Sequence, residues 1–246
     1  MPRKPRLHYS GAMYHVITRG NNRQKIFLTE ENYKTFLEYL KQIKEKKPFN
    51  LYAYCLMPNH IHLLIEVKNE PLSEIMHRLL TGYTKHFNLT NKKWGHLFQG
   101  RYKAILCEKD SYLMELARYI HLNPVRAKMV KKPSEYRWSG HKNYLNISKD
   151  TLIDEDELLK YFSLDKAEAR KLYEHFVRDG ADMGHRKDMY PQEKVPYLGQ
   201  DKYIEEHIIM HQEILTRQTP GAVKLKITLN ADSGESCHPF RLKPAT

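Results

Sequence analysis

Tyr54-Cys55-Leu56-Met57-Pro58-Asn59-His60-Ile61-His62-Leu63-Leu64-Ile65-Glu66 reads as two strands joined by a tight turn. Residues 51–57 are apolar and aromatic, Pro58-Asn59 is turn chemistry, and residues 61–67 are rich in branched apolar side chains. Side chains alternate along a strand, so His60 and His62 project from one face with Leu64, while Ile61, Leu63 and Ile65 line the other. The two imidazoles stand about two rises of ~3.3 Å apart, a separation at which both can converge on one metal ion. Two histidines do not close a metal site, so the remaining ligands must come from elsewhere in the chain.

Working outward, residues 13–19 alternate as a first strand, ended by Gly20-Asn21-Asn22. Residues 30–47 carry Tyr33, Phe36, Leu37, Leu40 and Ile43 at helical spacing, closed by Pro48. Residues 72–89 form a second helix, with Leu72, Ile75, Met76, Leu79, Leu80 and Tyr83 on one side. Gly100 precedes a fourth strand at residues 102–107. Asp110 and Ser111 are the expected N-caps of a helix over 112–122, which Pro124 should stop at Asn123. The order β-α-β-β-α-β plus a helix predicts an α+β, ferredoxin-like antiparallel sheet with helices on one face, leaving the other face for a ligand. Residues 154–162 and 165–178 read as a helical extension whose apolar stripe is Leu158, Leu159, Phe162, Leu172 and Phe176, closed by Gly180. A further helix is expected at 203–216. The domain reading is 1–150 for the principal domain, 151–180 for the extension, and 181–246 for a weakly patterned, partly disordered end.

Charge is uneven. Residues 1–150 hold 27 Lys+Arg against 12 Asp+Glu, a balance of +15, whereas residues 151–246 hold 14 against 17, a balance of −3. A basic first part points to a polyanion partner. No run approaches the ~18 apolar residues of a membrane span, and no apolar signal core follows the basic start. Cys55, Cys107 and Cys237 lack paired spacing and read as thiols in a reducing cytoplasm.

The helix after the fourth strand holds Tyr112, Tyr119 and Asn123. Tyr119 and Asn123 are four apart and share a helix face. Asn123 offers a neutral oxygen ligand to join His60 and His62, and Tyr119 beside the metal is a candidate nucleophile. Tyr112, seven residues earlier on nearly the same face, is its rival. Simpler readings stand beside these: a structural His-x-His pair, an asparagine that terminates a helix, and a tyrosine of the core. Arg101 and Lys103, with Arg19, Arg23, Arg126 and Lys128, are natural phosphate contacts, and Trp94 and Tyr102 can stack on unpaired bases.

His60-Ile61-His62 resembles the His-hydrophobic-His motif of HUH-type single-tyrosine transposases. Tyr14-His15-Val16-Ile17-Thr18-Arg19-Gly20-Asn21-Asn22-Arg23, the runs Leu97 to Lys103 and Arg118 to Ala127, and Tyr136-Arg137-Trp138-Ser139 are similar to the REP-associated tyrosine transposase branch, over about residues 8–180. Lys128 departs from that branch, which usually has glycine there. The resemblance implies an HUH endonuclease fold with its catalytic domain in residues 1–150, and a transposase and strand transferase acting on single-stranded or hairpin DNA. It implies His60, His62 and Asn123 as ligands of Mg²⁺ or Mn²⁺, and Tyr119 as the nucleophile that forms a 5′-phosphotyrosine. A homodimer is compatible with it. The alternatives are a non-catalytic or domesticated DNA-binding protein acting on repetitive palindromic elements, and a replication-initiator or relaxase-type nuclease.

The +15 balance of residues 1–150 makes binding to DNA release counterions, so affinity should fall steeply with salt. A hairpin with an unpaired flank should bind better than plain duplex. Titrating both DNAs at several salt concentrations checks this; equal affinities with a flat salt slope would exclude DNA as the main partner.

Overall fold

The Pro58-Asn59 turn joins β2 (Phe49–Met57) to β3 (His60–Val67). Two residues suffice because the strands are antiparallel, with Met57 opposite His60 and Cys55 opposite His62. The register shifts between Leu51 and Ala53, a bulge at Tyr52. In this computed structural model the described residues are 8–148, 151–181, 197–200, 202–207 and 209–210. On the other side of β3 lies β1 (Met13–Arg19), with Ile17 opposite His62 and Arg19 opposite His60. Outside β1 runs β4 (Lys103–Cys107), with Lys103 opposite Ile17 and Ile105 opposite His15. The order β2-β3-β1-β4, antiparallel throughout, is ferredoxin-like, and β5 (Tyr197–Leu198) adds a short parallel strand beyond β4.

Between the strands run α1 (Glu30–Lys46) and α2 (Leu72–Thr90). Helix α1 starts at a capping box in which the Thr29 hydroxyl accepts from the Asn32 N–H and the Asn32 amide oxygen accepts from the Thr29 N–H. The two helices bury Phe36, Leu40, Ile75, Leu79, Tyr83 and Phe87. After β4 comes α3 (Lys109–His121), and α4 (Asn123–Arg126) follows at once. The last turns of α3 are buried all round, from Leu116 through His121.

The expected free face of the sheet is therefore occupied in part. Every residue of β3 from Ile61 to Val67 is buried, and since alternate residues point to opposite faces, both faces are covered. Helix α3 lies on the His62 face, where Tyr119 meets that ring. Its start also differs from expectation: Glu108 is the N-cap, which places Asp110 and Ser111 inside the helix. Pro124 sits in the first turn of α4, where its missing N–H costs nothing, so the chain resumes helical geometry directly after Leu122.

The remaining segments brace this unit. Residues 136–140 cover the outer edge of β2: Leu56 N–H donates to the Trp138 carbonyl at 2.9 Å, and Gly140 N–H to the Tyr54 carbonyl at 3.0 Å. The Tyr136 hydroxyl donates to the Leu56 carbonyl at 2.7 Å. Then follow α5 (His141–Tyr144), α6 (Glu155–Leu159) and α7 (Lys166–Asp179). The buried face of α7 is Ala169, Tyr173 and Val177, whereas Leu172 is 41 % exposed. The shift arises because α7 packs on α3, where Tyr173 bonds His121 and the Arg118 guanidinium lies 4.1 Å over the Phe176 ring. Residues 8–199 make up one compact unit, and the described residues from 200 onward belong to a second. In the second unit, 202–207 and 209–210 are helical. The rest of the helix expected at 203–216 lies outside the described residues, as does Cys237. Cys55 and Cys107 are free and buried.

Helices α3, α5 and α7 enclose a cluster of His121, His141, Tyr144 and Tyr173. His121 Nδ1 lies 2.6 Å from the Tyr173 hydroxyl, and the two imidazole centroids are 5.3 Å apart. Burial first, and then His141, holds His121 well below the usual histidine range, and burial lowers His141 to about 4. Above about pH 6.5 both rings are neutral folded or unfolded. Below it only the unfolded chain takes up their protons, so stability falls by up to ~1.4 kcal/mol per pH unit per ring. Urea midpoints should decline from pH 7.5 to pH 5, and His141→Phe should make that decline shallower. A midpoint constant across the range would contradict this.

Candidate active site

Residues directly opposite one another on neighbouring antiparallel strands project to the same face. The register therefore gathers His60 and His62 of β3, His15, Ile17 and Arg19 of β1, and Lys103 of β4 on one face of the sheet. The His60 and His62 ring centroids are 5.1 Å apart. His15 Nε2 lies 3.0 Å from His62 Nδ1, and the two rings stack at 5.3 Å.

Helix α3 brings Tyr119 onto this face. Its ring centroid is 6.2 Å from that of His62 and 6.1 Å from that of His15, both edge-on. Four rings of one chain thus meet at the end of β3. The sequence spacing had singled out His60, His62 and Tyr119 but not His15. Alternation puts His15 on the Ile17–Arg19 face, yet only the register of β1 against β3 shows that this is the face of His62.

Burial controls the charge state. It is the largest cause holding His62 well below the usual range, followed by repulsion from His15, His60 and Arg126. Burial also lowers His60, and takes His15 down to about 3. All three imidazoles are neutral at pH 7, the form in which a ring nitrogen keeps a lone pair for a metal. Among the described residues, no set of three or more His, Cys, Asp and Glu side chains is gathered to hold a metal. A metal held here by His60 and His62 needs its further donors from an amide, water or substrate oxygen.

Asn123 is tied to the end of α3, one turn after Tyr119. Its Nδ2 donates to the Tyr119 carbonyl at 3.0 Å and the Ile120 carbonyl at 3.2 Å, turning the amide oxygen away from those carbonyls. The described hydrogen bonds of Asn123 reach α3 and neither histidine. Arg126 is folded onto the nucleophile candidate: its guanidinium lies 4.7 Å over the Tyr119 ring, and Nη1 donates to the Tyr119 carbonyl at 2.9 Å. Tyr119 itself is 3 % exposed. Tyr112 is half-buried two helical turns earlier, about 10 Å along the axis.

The other basic candidates rim the same end of the sheet. Arg19 is exposed beside Gln99, whose side-chain oxygen accepts from its Nε. Arg23 is exposed in a turn where Asn22 and Arg23 both adopt positive φ, and its carbonyl accepts from Asn59 Nδ2 at 3.5 Å. Arg101 and Lys103 are exposed where the chain enters β4. Between them and α2 a loop is tied to the end of β1 by Asn21 N–H to the Leu97 carbonyl at 2.8 Å and Gln99 N–H to the Arg19 carbonyl at 2.9 Å. This loop holds Trp94, 90 % exposed, whereas Tyr102 is buried.

Residues 8–123 match the family model described as "Transposase IS200 like". A Haemophilus influenzae protein assigned as a REP-associated tyrosine transposase is 27 % identical over 141 residues, covering 53 % of this chain and 80 % of that protein. The solved structure of a REP-associated tyrosine transposase bound to a REP hairpin aligns with a TM-score of 0.49 at 19 % identity, over 63 % of this chain and 98 % of that one. A transposase structure from Deinococcus radiodurans aligns with a TM-score of 0.35 at 17 % identity, over 48 % of this chain and 95 % of that one. Among the described residues no helix is long and apolar enough to cross a membrane. Over residues 8–123 the chain is similar to IS200-like transposases.

Proposed function

We propose that this protein cleaves and rejoins single-stranded or hairpin DNA, of the REP type named for its relatives, through a covalent link to Tyr119. The observation that carries the proposal is the Tyr119 ring held 6.2 Å from His62 of its own chain. A tyrosine of the core has no need of two neutral histidines, His15 and His62, against its ring, and a DNA-binding module has no need of the tyrosine.

In this reading the Tyr119 phenol oxygen attacks a backbone phosphorus. A P–O bond to tyrosine forms, the bond to the 3′ oxygen breaks, the phenol proton leaves, and the 3′ oxygen takes up a proton. The product is a 5′-phosphotyrosine and a free 3′-hydroxyl, and attack by a 3′-hydroxyl on that linkage rejoins DNA without an external energy source. His60 and His62, with the Asn123 amide oxygen, would hold a divalent ion, Mg²⁺ or Mn²⁺. When bound, the ion withdraws charge from a phosphate oxygen and orients the phosphate. Arg19, Arg23, Arg101 and Lys103 hold the flanking phosphates. Arg126 covers Tyr119 in the DNA-free protein, and as a long, half-buried side chain it is the cover that yields to the incoming phosphate.

Incubation with labelled hairpin DNA and Mg²⁺ or Mn²⁺ should yield a covalent protein–DNA adduct. Tyr119→Phe removes one oxygen and keeps the ring, so it should bind the hairpin and form no adduct, while Tyr112→Phe should retain adduct formation. His62→Ala should also lose cleavage with much of its DNA affinity intact. An adduct in Tyr119→Phe, or one mapped to Tyr112, would overturn the assignment; cleavage without any adduct would indicate a water nucleophile.

A further inference from the structure

Both histidines of the motif are engaged at the same ring atom by a neighbour outside the motif. His60 Nδ1 lies 2.7 Å from Asn59 Oδ1. His62 Nδ1 lies 3.0 Å from His15 Nε2. A neutral imidazole carries one N–H, and the partner at one nitrogen decides which nitrogen keeps its lone pair. For His60 the answer follows from the acceptor. Asn59 turns its Nδ2 toward the Arg23 carbonyl oxygen at 3.5 Å, so the atom facing His60 is an amide oxygen, which only accepts. His60 must place its proton on Nδ1, which leaves the lone pair on Nε2.

For His62 two arrangements satisfy the contact. Either His62 Nδ1–H donates to His15 Nε2, or His15 Nε2–H donates to His62 Nδ1. The second puts the only proton of His62 on Nε2 and removes it as a ligand; the first matches His60. We propose that Asn59 and His15 are positioning residues that hold His60 and His62 in the same Nδ1–H tautomer, so that both Nε2 lone pairs are presented together to a divalent cation. The inference rests on the metal reading given under Proposed function. It gives His15 a role that packing alone does not supply: a buried imidazole on β1 that orients a ligand on β3.

The test begins with metal-free wild-type protein labelled with ¹⁵N-histidine. Long-range ¹H–¹⁵N spectra at pH 7.5 should show His60 and His62 as Nδ1–H tautomers. A proton on Nε2 of either ring overturns the proposal whatever the metal does. Mn²⁺ titration by calorimetry then compares variants that retain the wild-type circular dichroism. Asn59→Ala and His15→Phe should lose 10- to 100-fold in Mn²⁺ affinity. His15→Gln, whose amide oxygen still accepts, should recover most of the loss. Equal Mn²⁺ affinity in wild type, Asn59→Ala and His15→Phe would overturn the positioning role. Wild-type protein with the stated tautomers but no Mn²⁺ binding would confirm the tautomer assignment while refuting the metal reading.

Discussion

The pairing of β1 with β3 is the constraint on which the rest of the site depends. With Ile17 opposite His62 and Arg19 opposite His60, the face that carries the two histidines also carries His15, Arg19 and, one strand further, Lys103. A slip of one residue would turn every β1 side chain to the opposite face and leave His62 without its 3.0 Å partner. The register is held by burial on both faces: Tyr14 and Val16 point one way, Met13 and His15 the other, and all four are at most 3 % exposed. With both faces covered, a slipped strand would force each set of side chains into space shaped for the other, which costs far more than any single contact in the site.

The second dependency is the docking of α3. Tyr119 reaches the sheet because the last turns of its helix are gripped from both sides. The sheet takes Tyr119, while α7 takes Arg118 through the Phe176 ring and His121 through the Tyr173 hydroxyl. At the other end, Lys109 bonds both Glu66 oxygens at 3.0 Å and pairs with Glu157, joining the start of α3 to β3 and α6. The segments after residue 136 thus act at a distance on the position of Tyr119. Tyr136-Arg137-Trp138-Ser139, which resembles a family motif, closes the free edge of β2.

The strands, the two long helices and their order were legible because their signals are local. Alternation marked β1, and helical spacing with Pro48 marked α1. Pro58-Asn59 between two branched apolar runs marked the hairpin. His60 and His62 could be read as a pair because two residues on one strand share a face regardless of partner. His15 could not, since its proximity to His62 is a fact of register between strands 47 positions apart. Leu172 lies on the exposed side for a similar reason: two stripes suit α7, and only the position of α3 chooses the one containing Tyr173. The short α4 was hidden by Pro124, whose usual meaning as a stop holds for the preceding helix and is compatible with the start of the next.

The central claim is that one chain assembles its own site, with Tyr119 of α3 set against His62 of β3 in the same molecule. Mixing Tyr119→Phe protein with His62→Ala protein tests it directly. Each variant keeps what the other lacks, so a site shared between two chains would regain adduct formation in the mixture, the DNA attached to the His62→Ala chain. The account predicts that the mixture stays as inactive as either variant alone. Adduct formation restored on mixing would contradict it.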